Sequence, residues 1–405
     1  MKDTQKAIII IGAGASGFFA AIHNKLQYPD QTVILIEKSQ NVLSKVKISG
    51  GGRCNVTHAC FDPARLCGYY PRGQKALRGA FHRFQPEDTI TWFESHGVKL
   101  KVESDNRVFP VSDKSQSIID CLVKVAKQSG VKIWTGCDVR HVSKQDGLFH
   151  VELGNGQSHV SHRLILATGS SRVGYQWAGS LGHTLTEPVP SLFTFKVKDK
   201  ALLERQGVTI KEVELGLKGF KKKRYRGPVL ITHWGVSGPG VIQCSAWHAR
   251  DLHQSQYTST LALCWLPDRD AMTCKRHCVA FGQENPNKKL SSQSPFNEIP
   301  TRFWQYLVGK SQIKAGRTWH QVSEKDMDAL VGSLISDVLK ISGKGQFKEE
   351  FVTCGGVKLD EIEFKNMSSK VCPGLHIVGE LLDIDGITGG FNFQNAWTTG
   401  YLSSL

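Results

Sequence analysis

The chain begins its ordered pattern with a short apolar run, mainly β-branched, Ala7-Ile8-Ile9-Ile10-Ile11, that passes without a spacer into Gly12-Ala13-Gly14-Ala15-Ser16-Gly17. A run apolar at every position suits a strand buried on both faces, and this glycine spacing suits the tight turn from such a strand into a helix. Glycine is common in this chain, so the spacing alone decides little and its context has to carry the reading. Phe18 to Leu26 continues as a helix packed by Phe19, Ile22 and Leu26, Thr32 to Ile36 supplies a second strand, and Glu37 stands 20 residues beyond Gly17. In that order the helix N-terminus faces a pyrophosphate and the acid accepts the ribose hydroxyls. An acid rather than a base at position 37 argues for an unphosphorylated ribose, that of FAD or NAD. Ala7 to Ile22 is also uncharged for 16 residues. That is short of the roughly 20 needed to cross a membrane, and its glycines are better explained by a turn than by a signal segment.

Two further strand ends choose between the dinucleotides. Arg163 to Ala167 is apolar and ends in Ala167-Thr168-Gly169, and Leu375 to Val378 ends in Gly379-Glu380. A glycine-rich turn, Gly386 to Gly390, then precedes a helix expected from Asn392 to Tyr401. Three strand ends converging on one dinucleotide is the FAD pattern of the glutathione-reductase type. Glu380 would meet the ribityl chain, and the helix starting near Phe391 would aim backbone N–H groups at the flavin edge where negative charge accumulates. The expected fold class is α/β, an FAD-binding Rossmann domain of this type.

Ser49-Gly50-Gly51-Gly52-Arg53-Cys54-Asn55-Val56-Thr57 is the most specific segment of the chain. Successive glycines let backbone approach a flat ligand, with Arg53 and Asn55 as polar handles. Here the sequence resembles the BaiN-like, or YhiN-like, family of NAD(P)/FAD-dependent oxidoreductases, the aminoacetone-oxidase-type flavoproteins. The resemblance runs through Lys47 to Thr57, Leu166 to Gly169, Thr232 to Pro239, Gly355 to Val357, Gly379 to Asp383 and Gly389 to Gln394. Ser170 stands where the family usually has a second glycine, and Phe391 where it often has Tyr. With the residue reading, the expected FAD contacts from the first turn are Gly12, Gly14, Ala15, Ser16 and Gly17, followed by Glu37 and Lys38. The glycine loop adds Lys47, Ser49, Gly51, Gly52, Arg53, Cys54 and Asn55. The later strand ends and last turn add Ala167, Thr168, Gly169, Gly379, Glu380, Gly390, Phe391 and Asn392.

The resemblance implies an FAD domain interrupted by an insert. The expected boundaries are 1–190 and 346–405 for the FAD domain, with the nucleotide fold resuming at Phe351, and 191–345 for the insert. Short alternating segments such as Leu192 to Val197, Thr209 to Leu215 and Leu261 to Leu266 suggest a small β-barrel. Asp268 to Ile341, broken by Pro286, Pro295 and Pro300, reads as helices.

A flavin performs the redox step, so the protein supplies orientation, charge stabilisation and a proton. Cys54, Arg53 and Asn392 are the catalytic candidates, with His58 and His233 beside them. Cys54 is either a proton donor or a small buried thiol. His233 follows the strand Val229 to Thr232 and precedes a helix expected at Ser237, where a structural hydrogen bond competes with chemistry. Cys54 and Cys60 invite a disulfide-reductase reading, but their Cys-x5-Cys spacing is wrong for it. Cys274 to Cys278 lacks a second half at zinc spacing, so no metal is expected. No second dinucleotide turn follows, so NAD(P)H would act as a transient donor reaching the flavin through the open site.

Eleven scattered cysteines without Cys-x-x-Cys pairs point to a reduced, cytoplasmic chain with no membrane anchor. The 51 Lys plus Arg against 36 Asp plus Glu leave a net charge of +15. The densest basic run is Lys218, Lys221, Lys222, Lys223, Arg224 and Arg226. It is either a solvated hairpin tip or a phosphate-contact patch for structured RNA through Lys221, Lys222, Lys223 and Arg224. Members of the resembled family are linked to amine oxidation, to reduction of steroid C=C bonds and to uridine reduction in ribosomal RNA. The excess charge favours the RNA member of that set.

Overall fold

A computed structural model describes residues 7–220, 223–314, 316–345 and 352–405. The chain forms two compact units, Met1–Pro190 with Val352–Leu405, and Ser191–Phe351.

The first unit is built on a seven-stranded sheet. Five of its strands are parallel and lie in the order Leu375–Ile377, Arg163–Leu166, Ile8–Ile11, Val33–Ile36, Lys132–Trp134. All four isoleucines of the central strand are buried, as a strand covered on both faces requires. The registers Ile8 with Val33 and Ile8 with Arg163 align the strand ends. The ladder runs one step further, with Gly12 N donating to Ile36 O at 2.8 Å and Val378 N to Leu166 O at 3.1 Å. Gly12, Glu37, Ala167 and Gly379 therefore meet at the carboxyl ends of the parallel strands, where ligands of open α/β sheets bind. The helix Ala15–Gln27 covers one face and packs on the helix Phe391–Leu402, with Phe19 and Trp397 rings 4.8 Å apart. Smaller antiparallel sheets join Val139–Gln145, Leu148–Leu153 and Ser158–Ser161, and join Thr57–His58, Arg107–Pro110 and Leu100–Val102.

The second unit holds a closed six-stranded barrel, Phe195–Val197, Gly235–Ser237, Tyr225–Thr232, Thr209–Leu217, Thr258–Cys264 and Asp337–Lys344. Helices Ala271–Glu284, Thr301–Lys310 and Glu324–Ile335 pack into the same core as the barrel strands. The α/β class, the Rossmann unit and the barrel insert expected from sequence are all present. Two local expectations are corrected. The helical reading to Ile341 overran, because from Asp337 to Ile341 the burial alternates residue by residue and the segment closes the barrel. Ser237 ends a strand rather than starting a helix, which begins after Gly238 at Pro239. The expected return points at 346 and at Phe351 lie outside the described residues.

Candidate cofactor and substrate site

The first glycine turn fits a dinucleotide by geometry. A Cβ on Gly17 would sit 1.8 Å from Gly12 O, so only glycine lets the helix start this close to the turn. A Cβ on Gly14 would meet no atom within 4 Å, so that face of the turn is open. The helix from Ala15 has no side-chain cap and no acid in its first turn, which leaves its N–H groups and positive end for a phosphate. Glu37 is clamped by Ala13 N to Oε2 at 3.0 Å and Ser39 N to Oε1 at 2.9 Å, so its carboxylate is held at the strand end.

The glycine loop follows one helical turn beginning at Ser44. Gly50, Gly51 and Gly52 take φ of +56°, +67° and +83°, and Cys54 follows at +62°. Cβ atoms on Gly51 and Gly52 would meet nothing within 4 Å. The loop thus presents bare backbone on one side, which suits a flat ring system. Its other side is fixed. Cys54 N donates to Ser49 O at 3.0 Å, and Trp397 Nε1 donates to Val56 O at 2.9 Å. Asn55, oriented to satisfy both neighbours, donates to Thr57 O at 2.9 Å and accepts from Gly390 N at 3.0 Å.

The catalytic candidates occupy different situations. Cys54 is wholly enclosed, and burial pushes its thiol up to about 12. A side chain closed in by protein on every side offers no surface to a substrate. The Arg53 guanidinium lies 3.9 Å from the Phe109 ring centroid, and Nη1 donates to Glu103 Oε1 at 2.7 Å. Asn392 uses both ends of its amide on Gly386, accepting from its N at 2.8 Å and donating to its O at 2.9 Å, which closes the last glycine turn. His58 is half-buried, and burial holds its imidazole below the usual range. His233 is exposed with its ring 4.1 Å from that of Trp234. Among the expected cofactor residues, Lys38 and Lys47 are exposed, while Ser16, Gly17, Ala167 and Gly379 are buried at the turns they build.

A family model, described as the HI0933-like protein Rossmann domain, matches residues 6–405. The chain belongs to the HI0933-like family. Relatives include a 3-dehydro-bile acid delta(4,6)-reductase of Clostridium scindens, 29% identical over 97% of both chains. A ribosomal RNA dihydrouridine synthase of Escherichia coli is also 29% identical, over 97% of this chain and 96% of the relative. In fold, this chain matches a 3-ketosteroid delta1-dehydrogenase from Sterolibacterium denitrificans with a TM-score of 0.50 at 10% identity, over 99% of each. This HI0933-like chain is an FAD-dependent oxidoreductase.

Several contacts around the candidate site escape sequence reading. Lys45 bonds Glu380 Oε2 at 2.6 Å and Ser170 Oγ at 3.3 Å, while Thr353 N donates to Glu380 Oε1 at 3.1 Å. Arg72 forms a fork with the fully buried Asp385, its Nε at 2.5 Å from Oδ1 and its Nη2 on Oδ2. Thr57 and Thr89 both donate to Gln394 Oε1, at 2.6 and 2.9 Å, which bolts the last helix to the loop. The signal for Gln394 lay within the family-like run Gly389 to Gln394, but its partners are about 300 residues away in the chain.

In the insert, the basic run falls in the chain between the strands Thr209–Leu217 and Tyr225–Thr232, with Arg226 inside the second strand. Arg226 is held by Glu212 at 2.9 Å and Asp268 at 2.5 Å, and Arg224 lies 3.9 Å from Glu214. Lys223 Nζ sits 2.8 Å from the Trp247 ring centroid, and burial lowers its pKa. Lys221 and Lys222 lie outside the described residues. No helix among the described residues is long and apolar enough to cross a membrane. No group of three metal-ligating side chains occurs among them either.

Proposed function

We propose that this chain reduces a conjugated C=C bond with electrons that NAD(P)H delivers to FAD, and that its substrate class is uridine in ribosomal RNA. The observation that carries the RNA choice is where the charge lies. Residues 191–351 hold 25 Lys plus Arg against 15 Asp plus Glu, a net +10 of the chain's +15. An enzyme for one small molecule, even a bile acid with its single carboxylate, needs no such surface, whereas each phosphate met by an RNA binder asks for a cation. The Escherichia coli relative named as a ribosomal RNA dihydrouridine synthase supports the same reading. The Clostridium scindens relative, equally similar and named as a bile acid reductase, supports a small-molecule alternative built on the same C=C chemistry.

When bound, the flavin supplies the hydride. The chain's own residues do the rest. In this reading Gly12 to Gly17 and the helix N-terminus bind the pyrophosphate, and Glu37 and Lys38 meet the adenosine ribose. Lys47, Ser49, Gly51 and Gly52 carry the flat ring system, with Ala167 to Gly169 and Gly379-Glu380 along the chain between. Gly390 and Phe391 start the helix whose N–H groups face accumulating negative charge. Arg53 and Asn392 shape and polarise the pocket, and the enclosed Cys54 holds the loop's left-handed bend rather than a transferable proton.

The test compares ribosomal RNA nucleosides by mass spectrometry with and without the gene. Loss of a dihydrouridine on deletion is the expected result. An unchanged nucleoside profile, with no salt-dependent RNA binding by the purified protein, would leave the small-molecule reading.

A further inference from the structure

Three aromatic rings meet beside the glycine loop, and none has a part in holding the cofactor through its side chain in the reading above. Phe391 is 2% exposed. Tyr69 lies on it with centroids 4.4 Å apart and planes 14° apart, and His58 lies on it at 4.7 Å and 26°. The Tyr69 and His58 centroids are 5.4 Å from each other. Two rings on opposite faces of a third would be separated by nearly twice the stacking distance, so Tyr69 and His58 lie side by side on Phe391.

This pair is held rigidly. Ile387 N donates to Tyr69 O at 3.0 Å, which ties it to the last glycine turn. The neighbouring Tyr70 hydroxyl donates to Phe391 O at 2.6 Å, and the Arg72–Asp385 fork closes the same loop. Both outer rings nevertheless keep exposed surface, and the Tyr69 hydroxyl is not among the buried polar atoms. Tyr and His join an apolar ring to a polar tip, so a partly exposed pair offers a ring face and a hydrogen-bonding edge together. A rigid, partly exposed aromatic surface binds a flat ring at little cost in side-chain ordering.

We propose that Tyr69 and His58, backed by Phe391, form a shelf on which the flat ring of the substrate stacks, the Tyr69 hydroxyl donating to its carbonyl. The ligand class is a ring bearing a conjugated C=C–C=O group. Burial lowers the His58 pKa, which favours the uncharged ring as a stacking partner. This proposal rests on the reading of the chain as a C=C reductase, and the shared ring chemistry has two sources, uridine in RNA and a Δ4-3-ketosteroid.

The experiment uses the FAD-loaded full chain as wild type, Tyr69→Phe and Tyr69→Ala, each first checked for equal flavin content. Initial rates are measured with a uridine-containing ribosomal RNA fragment and, separately, with androst-4-ene-3,17-dione. With whichever probe the wild type reduces, Tyr69→Ala should raise KM about ten-fold or more while kcat changes less. Tyr69→Phe, which keeps the stack and loses the hydroxyl, should fall between. Turnover of RNA and not of steroid identifies the uridine source, and the reverse removes the RNA reading while leaving the shelf in place. An unchanged KM in Tyr69→Ala overturns the shelf with the reductase reading intact. A wild type that reduces neither probe overturns both.

Discussion

Glu37 shows how one side chain is prepared for a ligand before the ligand arrives. Its two oxygens each accept one backbone N–H, from Ala13 and from Ser39, and each keeps lone-pair capacity for a ribose hydroxyl. Glu37→Arg removes both clamps and puts donors where the hydroxyls need acceptors. FAD retention should fall several-fold or more, read as the ratio of flavin to protein absorbance after gel filtration. An unchanged ratio would remove Glu37 from the site. Cys54 teaches the opposite lesson. Its place in the glycine loop was plain in the sequence, but its complete enclosure was not, because burial is decided by the folded surroundings and not by neighbours in the chain.

Four of the five parallel strands were legible because each is a short apolar run with a glycine or an acid at or just beyond its end. Lys132–Trp134, three residues opening on a lysine, carries no such pattern and was not legible. Most of what was illegible joins elements far apart in the chain. Nothing near Arg72 announces Asp385, and nothing near Lys45 announces Glu380. The strand Asp337–Lys344 was hidden by the helical residues before it, although its alternating burial is the ordinary signature of a barrel strand. The strand Leu375–Ile377 carries a further consequence through His376. Arg163 Nε donates to His376 Nε2 at 3.0 Å and His376 Nδ1 faces Asn366 O at 3.0 Å, so the imidazole accepts at one nitrogen, donates at the other and is neutral. Burial, with Arg163 beside it, lowers its pKa to about 3. The unfolded chain binds this proton near pH 6.5 and the folded chain does not, so stability is complete above 6.5 and falls as pH drops toward 3. The slope from this group should be about 1.4 kcal/mol per pH unit, measured as urea midpoints between pH 7 and 4.5. His376→Gln, which can keep both hydrogen bonds, should flatten that slope, and an equal slope in the variant would show that other groups govern acid sensitivity.

At the scale of the molecule, redox chemistry and charge sit on different units. The first unit has 26 basic against 21 acidic residues, a net +5, so polyanion binding should be a property of the insert. Replacing Lys221, Lys222, Lys223 and Arg224 by Ser should weaken RNA binding and reduce the slope of log affinity against log salt by roughly 0.7 to 0.9 for each phosphate no longer neutralised. With Lys223 against Trp247 and Arg224 near Glu214, fewer than four phosphates should be given up. A slope unchanged in filter-binding titrations would make the run a solvated tip. The insert also sets an order in time. The first strand and helix are made early, yet the helix that covers them, Phe391–Leu402, ends more than 360 residues after Ile36. At 5–20 residues per second that is roughly 20–70 s, during which Phe19 lacks Trp397 and Asn24 lacks Ser403. The insert's own core, by contrast, is drawn from residues 193–341 and is complete sooner after it begins. By this order the barrel's core is fully synthesised while the flavin unit still lacks its return segment, and it is the flavin unit that a chaperone would have to shield.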